Sequence, residues 1–172
     1  MVSSCSKIAQ TDYKERHDKV ASILLWNICR KCNLPTADKW WEHKVDKALQ
    51  KEDVKILWDF KIQTNKHLAH NIPDITVVEK KRVWLIDVAI PGDGRIEKKE
   101  LEEISKYQDL QIEIERLWEK QATVVPVVIG SLGAIPRDLK KHIITIGLES
   151  ISPSQLQKTV LLGTAHILRK YL

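Results

Sequence analysis

Two aspartates stand where a metal-dependent reaction could take place. Asp74 opens one apolar, β-branched segment, and Asp87 lies inside a second such segment, residues 83–90. A charged carboxylate inside an apolar run is costly to bury unless it has a partner. Carboxylate oxygens are also the ligands that Mg²⁺ prefers in proteins. The two acids are therefore the first candidates for chemistry in this chain.

The segments 74–79 and 83–90 are separated by Lys80-Lys81-Arg82 and predict a β-hairpin. A two-residue turn at Lys80-Lys81 places Asp74 directly opposite Asp87, with Cβ atoms about 4.5–5.5 Å apart. Opposed carboxylates repel, so the pair requires a protonated acid, a nearby base or a bound divalent cation. One interpretation of the pair is a site for a divalent cation. The alternative is that Asp74 only ends a turn and Asp87 pairs with a lysine.

The elements around this pair predict an α/β fold in which a mixed central sheet is flanked by helices. Apolar periodicity predicts these elements in order: a helix over 12–32, a weaker helix over 38–53, strands over 55–62, 74–79 and 83–90, a long helix over 95–120, a strand over 122–129, a short helix near 137–145 and a last helix over 153–171. Pro126 predicts an edge or a bulge in its strand. Ser152 followed by Pro153 predicts the cap of the last helix.

Pro73-Asp74, twelve intervening residues and Asp87 resemble the signature of the PD-(D/E)XK nucleases. More closely, residues 12–172 resemble the restriction-like endonuclease domain at the C-terminus of site-specific non-LTR retrotransposon proteins. Arg16-His17 and Lys106-Tyr107 also match that domain. The resemblance implies a restriction-endonuclease-like αβββαβ core with C-terminal helices. We expect one such domain over 12–172, after a flexible segment over 1–11.

The resemblance implies a Mg²⁺-dependent endodeoxyribonuclease in which Asp74 and Asp87 hold Mg²⁺ or Mn²⁺. The superfamily's lysine lies two residues after the second acid, and Ala89 occupies that position here. In the retrotransposon branch, which this sequence resembles, the next helix supplies the lysine. Lys106 and Lys99 are the candidates, because both lie on one stripe of the helix predicted over 95–120. Lys106 is the first candidate, since it is adjacent to Tyr107, and Lys99 is the second.

Glu103 and Tyr107 complete the set of catalytic candidates. Their spacing is similar to the Gln-x-x-x-Tyr element of related nucleases, with Glu in place of Gln. In that role they would position the lysine or a metal-bound water.

The resemblance further implies a nuclear parent protein that nicks DNA at its target site and primes reverse transcription. The expected partners are DNA and the reverse transcriptase part of a longer polyprotein. The alternative is a non-catalytic DNA- or protein-binding module on a degenerate nuclease fold, and Ala89 favours this alternative.

The charge of the chain suits a polyanion, because 28 basic residues outnumber 23 acidic ones and the net charge is +5. His17 either faces the site or is a satisfied core histidine. Trp40 and Trp41 lie in a polar stretch and could stack on bases, although core packing is the commoner use of tryptophan. The candidate phosphate contacts are Arg16 in the first helix, Lys80, Lys81 and Arg82 between the paired strands, and Lys140 and Lys141 after the last strand.

The remaining composition bounds the class of protein. The 172 residues suffice for one domain, and no apolar run is long enough to cross a bilayer. Three cysteines indicate a reducing compartment, so we expect a soluble, intracellular protein that is a piece of a longer one. Cys29 and Cys32 lack an evident set of further zinc ligands and are interpreted as a reduced structural pair, and Cys5 as a remnant of an upstream Cys/His knuckle.

Overall fold

The structure is a computed structural model that describes residues 7–172. The sheet contains five strands: β1 (Ala48–Lys51), β2 (Val54–Trp58), β3 (Ile75–Val78), β4 (Arg82–Ala89) and β5 (Gln121–Val128). The helices are α1 (Lys7–Lys31), α2 (Ile96–Lys106), α3 (Gln108–Trp118), α4 (Leu139–Thr145) and α5 (Pro153–Tyr171), with 3₁₀ turns at Trp40–Glu42 and Asp93–Arg95. Cys5 lies outside the described residues.

The five strands form one sheet in the order β1-β2-β3-β4-β5. Neighbours from β1 to β4 are antiparallel, and β5 runs parallel to β4. The prediction of a mixed sheet flanked by helices is therefore confirmed. Pro126 lies in an edge strand, as predicted, where its missing N–H costs no ladder hydrogen bond.

Alternate residues of β4 pack into two separate cores. Trp84, Ile86 and Val88 join the larger core, which includes residues of α1, α4 and α5. Val83 and Leu85 join the smaller core, which includes residues of α3. Because side chains alternate along a strand, Asp87 points to the side of the sheet that α2 and α3 cover. The pleat of β4 thus sets which helices can reach this acid.

The hairpin of β3 and β4 has the predicted register. Ile75 is paired with Ile86, and Val78 is paired with Val83. One step beyond Ile75 and Ile86, the same register sets Asp74 opposite Asp87. The turn closes where the backbone N–H of Glu79 donates to the carbonyl oxygen of Arg82 at 2.8 Å.

The predicted helix over 38–53 is wrong. This stretch contains the 3₁₀ turn Trp40–Glu42 and then strand β1, which forms a hairpin with β2. Glu52 adopts a left-handed backbone conformation with φ 51° at the hairpin turn. The edge of β2 provides hydrogen-bond partners that the local apolar pattern does not reveal, and this pairing overrides helix propensity.

The long helix predicted over 95–120 is two helices, because the backbone at Tyr107 leaves helical geometry with φ −105° and ψ 10°. Helix α1 begins at Lys7 rather than at residue 12, and β2 ends at Trp58. The cap of α5 is confirmed, since Ser152 Oγ accepts a hydrogen bond from the Ser154 N–H at 3.2 Å. Within residues 7–172, no helix has the length and apolar character needed to span a bilayer.

Candidate active site

Asp74 and Asp87 lie side by side at the open end of the β3–β4 hairpin. The backbone N–H of Asp74 donates to Asp87 Oδ1 at 3.2 Å, and the backbone N–H of Val88 donates to Asp74 Oδ2 at 2.7 Å. Both side chains line one open cavity of about 340 Å³. Asp87 is 4% exposed, so it is a buried acid at the bottom of this cavity. The strand register therefore brings the two acids of the sequence prediction together.

Helix α2 contributes a lysine to this pair of acids. Lys106 Nζ lies 3.0 Å from Asp87 Oδ2 and 3.2 Å from Glu103 Oε2. Lys99 lies about two turns before Lys106 on the same stripe, and its Nζ lies 2.7 Å from Glu103 Oε1. Both lysines line the cavity, but only Lys106 contacts the strand acid directly. Glu103, which is buried, bridges the two ammonium groups.

The break between α2 and α3 directs Tyr107 into the sheet. The side chain is 2% exposed, and its Oη lies 3.0 Å from Asp87 Oδ1 and 3.2 Å from the carbonyl oxygen of Ile72. Its single proton is shared between these two acceptors. Burial and the negative charge of Asp87 raise the pKa of Tyr107, so the phenol stays a donor. Tyr107 thereby ties α3 to both strands that hold the aspartates.

Asp74, Asp87 and Glu103 share this cavity with the ammonium groups of Lys99 and Lys106. Burial, a hydrogen bond with Glu103 and the charge of Asp74 raise the pKa of Asp87 to about 8, although Lys106 opposes the shift. The pKa of Glu103 falls to about 2, because hydrogen bonds from Asp87 and Lys99 outweigh its burial. Asp87 thus holds its proton to a higher pH than a free aspartate does. A divalent cation bound between Asp74 and Asp87 would relieve the repulsion between these two carboxylates.

His17 is a further member of the site. The sequence left open whether this side chain faces the site or is buried in the core. Its Nε2 lies 2.9 Å from Asp74 Oδ2 and 3.1 Å from the carbonyl oxygen of Val88. Its Nδ1 lies 2.9 Å from Asp18 Oδ1. Because both ring nitrogens face acceptors, the ring carries two protons. Burial lowers the pKa of His17, but the hydrogen bonds and charges of Asp74 and Asp18 outweigh it and raise the pKa to about 9.

The apolar periodicity of α1 could not predict the contacts of His17. It identifies which face of the helix is buried, but not which strand that face packs against. The stripe passes over the end of β4, where a backbone carbonyl and Asp74 are exposed to it. The sequence signal for this position would have been a polar residue, His17, on the apolar stripe of α1 and directly before an acid, Asp18.

Arg16 was predicted as a phosphate contact, and the structure contradicts this. Its side chain is only 5% exposed, and its guanidinium donates to Thr164 Oγ1 in α5 at 2.9 Å. Gly163 permits this packing, since a Cβ at that position would lie 2.6 Å from Arg16 Cγ. Arg16 therefore joins α1 to α5.

The other predicted phosphate contacts are exposed but do not surround the carboxylates. Lys80, Lys81 and Arg82 lie at the tip of the hairpin, at the opposite end from Asp74 and Asp87. Lys140 and Lys141 are exposed on α4. These groups form separate basic surfaces that a long polyanion could contact at a distance from the cavity.

Cys29 lies in the last turn of α1, and Cys32 directly follows the helix. Cys29 and Cys32 are free, and burial raises the pKa of both thiols, that of Cys29 to about 11. His43 makes a local contact instead, where its Nδ1 accepts from the Ala37 N–H at 3.4 Å. Across residues 7–172, no three His, Cys, Asp or Glu side chains are grouped so that they could hold a metal ion.

Comparison with protein families finds no family model that matches this chain, and comparison with curated proteins finds no match either. The geometry and chemistry of the site therefore carry the functional argument.

Proposed function

We propose that this protein is a metal-dependent DNA endonuclease that hydrolyses phosphodiester bonds. One observation carries the proposal: Asp74 and Asp87 lie on paired strands in one open cavity, with the Lys106 ammonium 3.0 Å from Asp87. Paired carboxylates and an adjacent cation are the groups that metal-assisted phosphoryl chemistry requires. The carboxylates favour a divalent ion, and the cation favours a phosphate.

Asp74 and Asp87 would hold Mg²⁺ or Mn²⁺. Mg²⁺ is usually bound through one or two carboxylates together with waters and the oxygens of a substrate phosphate, so two aspartates suffice. Asp74 Oδ1 has no hydrogen-bond partner among residues 7–172 and is available as a ligand. When bound, the ion supplies a Lewis acid for the phosphate and a more acidic water.

The chain's own residues orient and balance the charges in this site. Lys106 is placed to stabilise negative charge that develops on a phosphate next to Asp87. Glu103 fixes the ammonium of Lys106, and Tyr107 fixes the carboxylate of Asp87. His17, as an imidazolium, holds Asp74 in place from α1. These three are positioning residues, since each acts through an acid or a lysine of the site.

The resemblance to the endonuclease domain of non-LTR retrotransposon proteins supports DNA as the substrate. In that context the chain would nick a target site in the nucleus and act beside a reverse transcriptase. The net charge of +5 and the exposed lysines on the hairpin tip and on α4 fit a DNA duplex. The strand order and the covering helices are compatible with a restriction-endonuclease-like core.

A plasmid assay tests the proposal. With Mg²⁺ or Mn²⁺ the protein should convert supercoiled DNA to the nicked form, and EDTA should stop the reaction. Asp87→Ala should abolish nicking and leave DNA binding largely intact. Asp109→Ala, which removes an exposed acid of α3, is the matched control and should nick like the wild type.

The second candidate is a non-catalytic module that binds DNA or protein on a degenerate nuclease fold. Ala89 favours it, because a lysine is usual at that position in the superfamily that the sequence resembles. This candidate predicts no metal-dependent nicking at any metal concentration, and binding that Asp87→Ala leaves unchanged. Nicking by the wild type that Asp87→Ala removes would rule it out.

A further inference from the structure

A second cavity lies on the other side of His17 from the candidate active site. It occupies about 470 Å³ between α1 and the 3₁₀ turn Trp40–Glu42, and we refer to it as the Trp41 groove. Lys14, Asp18 and Ser22 of α1 form one wall of the Trp41 groove, and Trp40, Trp41 and His43 form the other.

Trp41 is an exposed aromatic residue in the wall of this groove. Its side chain is 61% exposed, although burial of tryptophan is strongly favourable. The ring is nonetheless held in a defined orientation: Trp40 packs against it at right angles with centroids 5.7 Å apart. The Lys39 ammonium lies 5.3 Å from the Trp41 ring centroid. A fixed, exposed indole beside a cation is the usual platform on which a nucleic-acid base stacks.

His43 adds an unused hydrogen-bond donor to the same wall. Its Nδ1 accepts from the Ala37 N–H, so in the neutral ring the proton is on Nε2. Burial lowers the pKa of His43 and favours that neutral ring. The Nε2 atom is buried and has no hydrogen-bond partner in the described part of the chain. Buried polar groups are normally satisfied, so this donor lacks the acceptor that such a group usually has.

The charges on the α1 wall cancel in pairs. Lys14 Nζ lies 2.9 Å from Asp18 Oδ2, and Lys19 Nζ lies 3.0 Å from Glu15 Oε1. The wall therefore offers polar atoms without a strong net charge. A neutral aromatic heterocycle with donors and acceptors on its edge fits such a wall better than a phosphate or an acidic peptide does.

The groove also adjoins the candidate active site. Asp18 lines the groove, and its Oδ1 lies 2.9 Å from His17 Nδ1. The opposite nitrogen of the same ring lies 2.9 Å from Asp74 Oδ2. The Asp18 carboxylate and the His17 imidazole thus connect the two cavities, and this proximity favours one DNA strand that contacts both.

We propose that the Trp41 groove binds an unpaired base of the DNA strand beside the phosphate that is cut. Bases inside a duplex are stacked on their neighbours and cannot stack on a protein side chain. The favoured substrate is therefore DNA with an unpaired or displaced nucleotide next to the cleavage point. The inference rests on the proposed endonuclease function.

Binding measured without cleavage tests it. Fluorescence anisotropy in EDTA compares a labelled, fully paired duplex with the same duplex carrying one unpaired adenine. The wild type should bind the second DNA at least about fivefold more tightly, the lower end of the range for base–aromatic stacking. Trp41→Ala should remove this preference and leave the affinity for the paired duplex unchanged, whereas Trp41→Phe should retain part of it.

The matched control is Ile112→Ala, which removes a 60% exposed apolar side chain of α3 and should keep the full preference. Equal affinity of the wild type for the two duplexes, or a preference that survives in Trp41→Ala, would overturn the inference. The absence of binding to either duplex would overturn it too. A protein that shows the Trp41-dependent preference but never nicks plasmid would refute the endonuclease proposal alone. Nicking without the preference would refute this inference alone.

Discussion

Two Lys-Tyr dipeptides end helices in this protein, and each contacts an aspartate of another element. Lys106-Tyr107 at the end of α2 contacts Asp87, at 3.0 Å from both the ammonium and the phenol. Lys170-Tyr171 at the end of α5 contacts Asp12 of α1, at 3.1 Å and 2.6 Å. The two aspartates are almost equally buried, with 4% and 6% exposure. The same three residue types therefore occur in two nearly equivalent clusters.

The two acids nonetheless respond in opposite ways. Hydrogen bonds from Tyr171 and Lys170 lower the pKa of Asp12. The pKa of Asp87 rises to about 8, because burial is joined by the neighbouring carboxylates Glu103 and Asp74. One carboxylate among donors makes a structural clamp between helices. Three neighbouring carboxylates raise the pKa of the buried one despite similar donors, and strongly shifted pKa values are typical of functional sites.

Replacing the two lysines gives the largest expected difference between the clusters. Lys106→Ala should reduce the rate of plasmid nicking by about 100- to 1,000-fold, because it removes the cation beside the scissile phosphate. Lys170→Ala should leave the rate unchanged, since α5 holds this lysine at Asp12. Single-turnover nicking with Mg²⁺ measures both variants, and circular dichroism confirms that each is folded. Similar losses in the two variants would contradict the assignment of the active cluster.

Replacing the two aspartates should change stability in opposite directions. Without metal near pH 8, Asp87→Asn should raise the free energy of unfolding by on the order of 1 kcal/mol, because it removes one of three crowded carboxylates. Asp12→Asn should lower it, since that carboxylate accepts hydrogen bonds from Lys170 and Tyr171. Urea unfolding in EDTA measures both. Destabilisation of the protein by Asp87→Asn would show that the lysine and the phenol outweigh the neighbouring acids.

The pH dependence of stability should separate the clusters further. The pKa of Asp87 rises from 3.8 to about 8 and that of His17 from 6.5 to about 9 on folding, so the folded state binds more protons. Their stabilising contributions are present in full at low pH, below 3.8 for Asp87 and 6.5 for His17, and disappear as pH rises through about 8 and 9. Asp12, with a lowered pKa, contributes above 3.8 and loses its contribution as pH falls through its folded pKa.

Urea midpoints across the pH range check these signs. Without metal, the midpoint of the wild type should fall from mildly acidic to alkaline pH. In Asp87→Asn the urea midpoint should depend less on pH up to about pH 8. In His17→Gln it should depend less on pH up to about pH 9. The acid limb below pH 3.8 should shrink in Asp12→Asn alone. A midpoint that rises toward alkaline pH would refute the raised pKa values.

Local patterns predicted the centre of the sheet correctly. The β3–β4 register follows from apolar alternation and from the position of the turn, both of which lie within residues 74–90. Strand β1 could not be predicted in the same way, because Ala48–Lys51 has no apolar alternation of its own and forms by pairing with β2. Nor could the break at Tyr107, since it depends on the hydrogen-bond acceptors that the sheet presents to that side chain.

The residues of the candidate site also fall into two groups: those that the sequence indicates and those that depend on distant contacts. Asp74 and Asp87 follow from spacing along two strands, and the family resemblance implied a lysine such as Lys106 on the next helix. The places of Arg16 and His17 depend on how α1 crosses two distant elements. Arg16 is buried because Gly163 of α5 leaves room for it, and His17 reaches the site because α1 passes over the end of β4. Contacts of such long sequence separation leave no local signature.

The two phenols give the smallest expected effect and the finest comparison. Tyr107→Phe removes a buried donor shared by Asp87 and the Ile72 carbonyl, which should cost about 1 kcal/mol of stability. Because the freed Asp87 carboxylate loses its fixed orientation, nicking should also slow, by less than in Lys106→Ala. Tyr171→Phe removes a hydrogen bond to Asp12 and should lower stability without slowing nicking. Urea unfolding and plasmid nicking on both variants measure the two effects. Equal nicking rates in Tyr107→Phe and Tyr171→Phe would show that the phenol at Asp87 only holds α3 to the sheet.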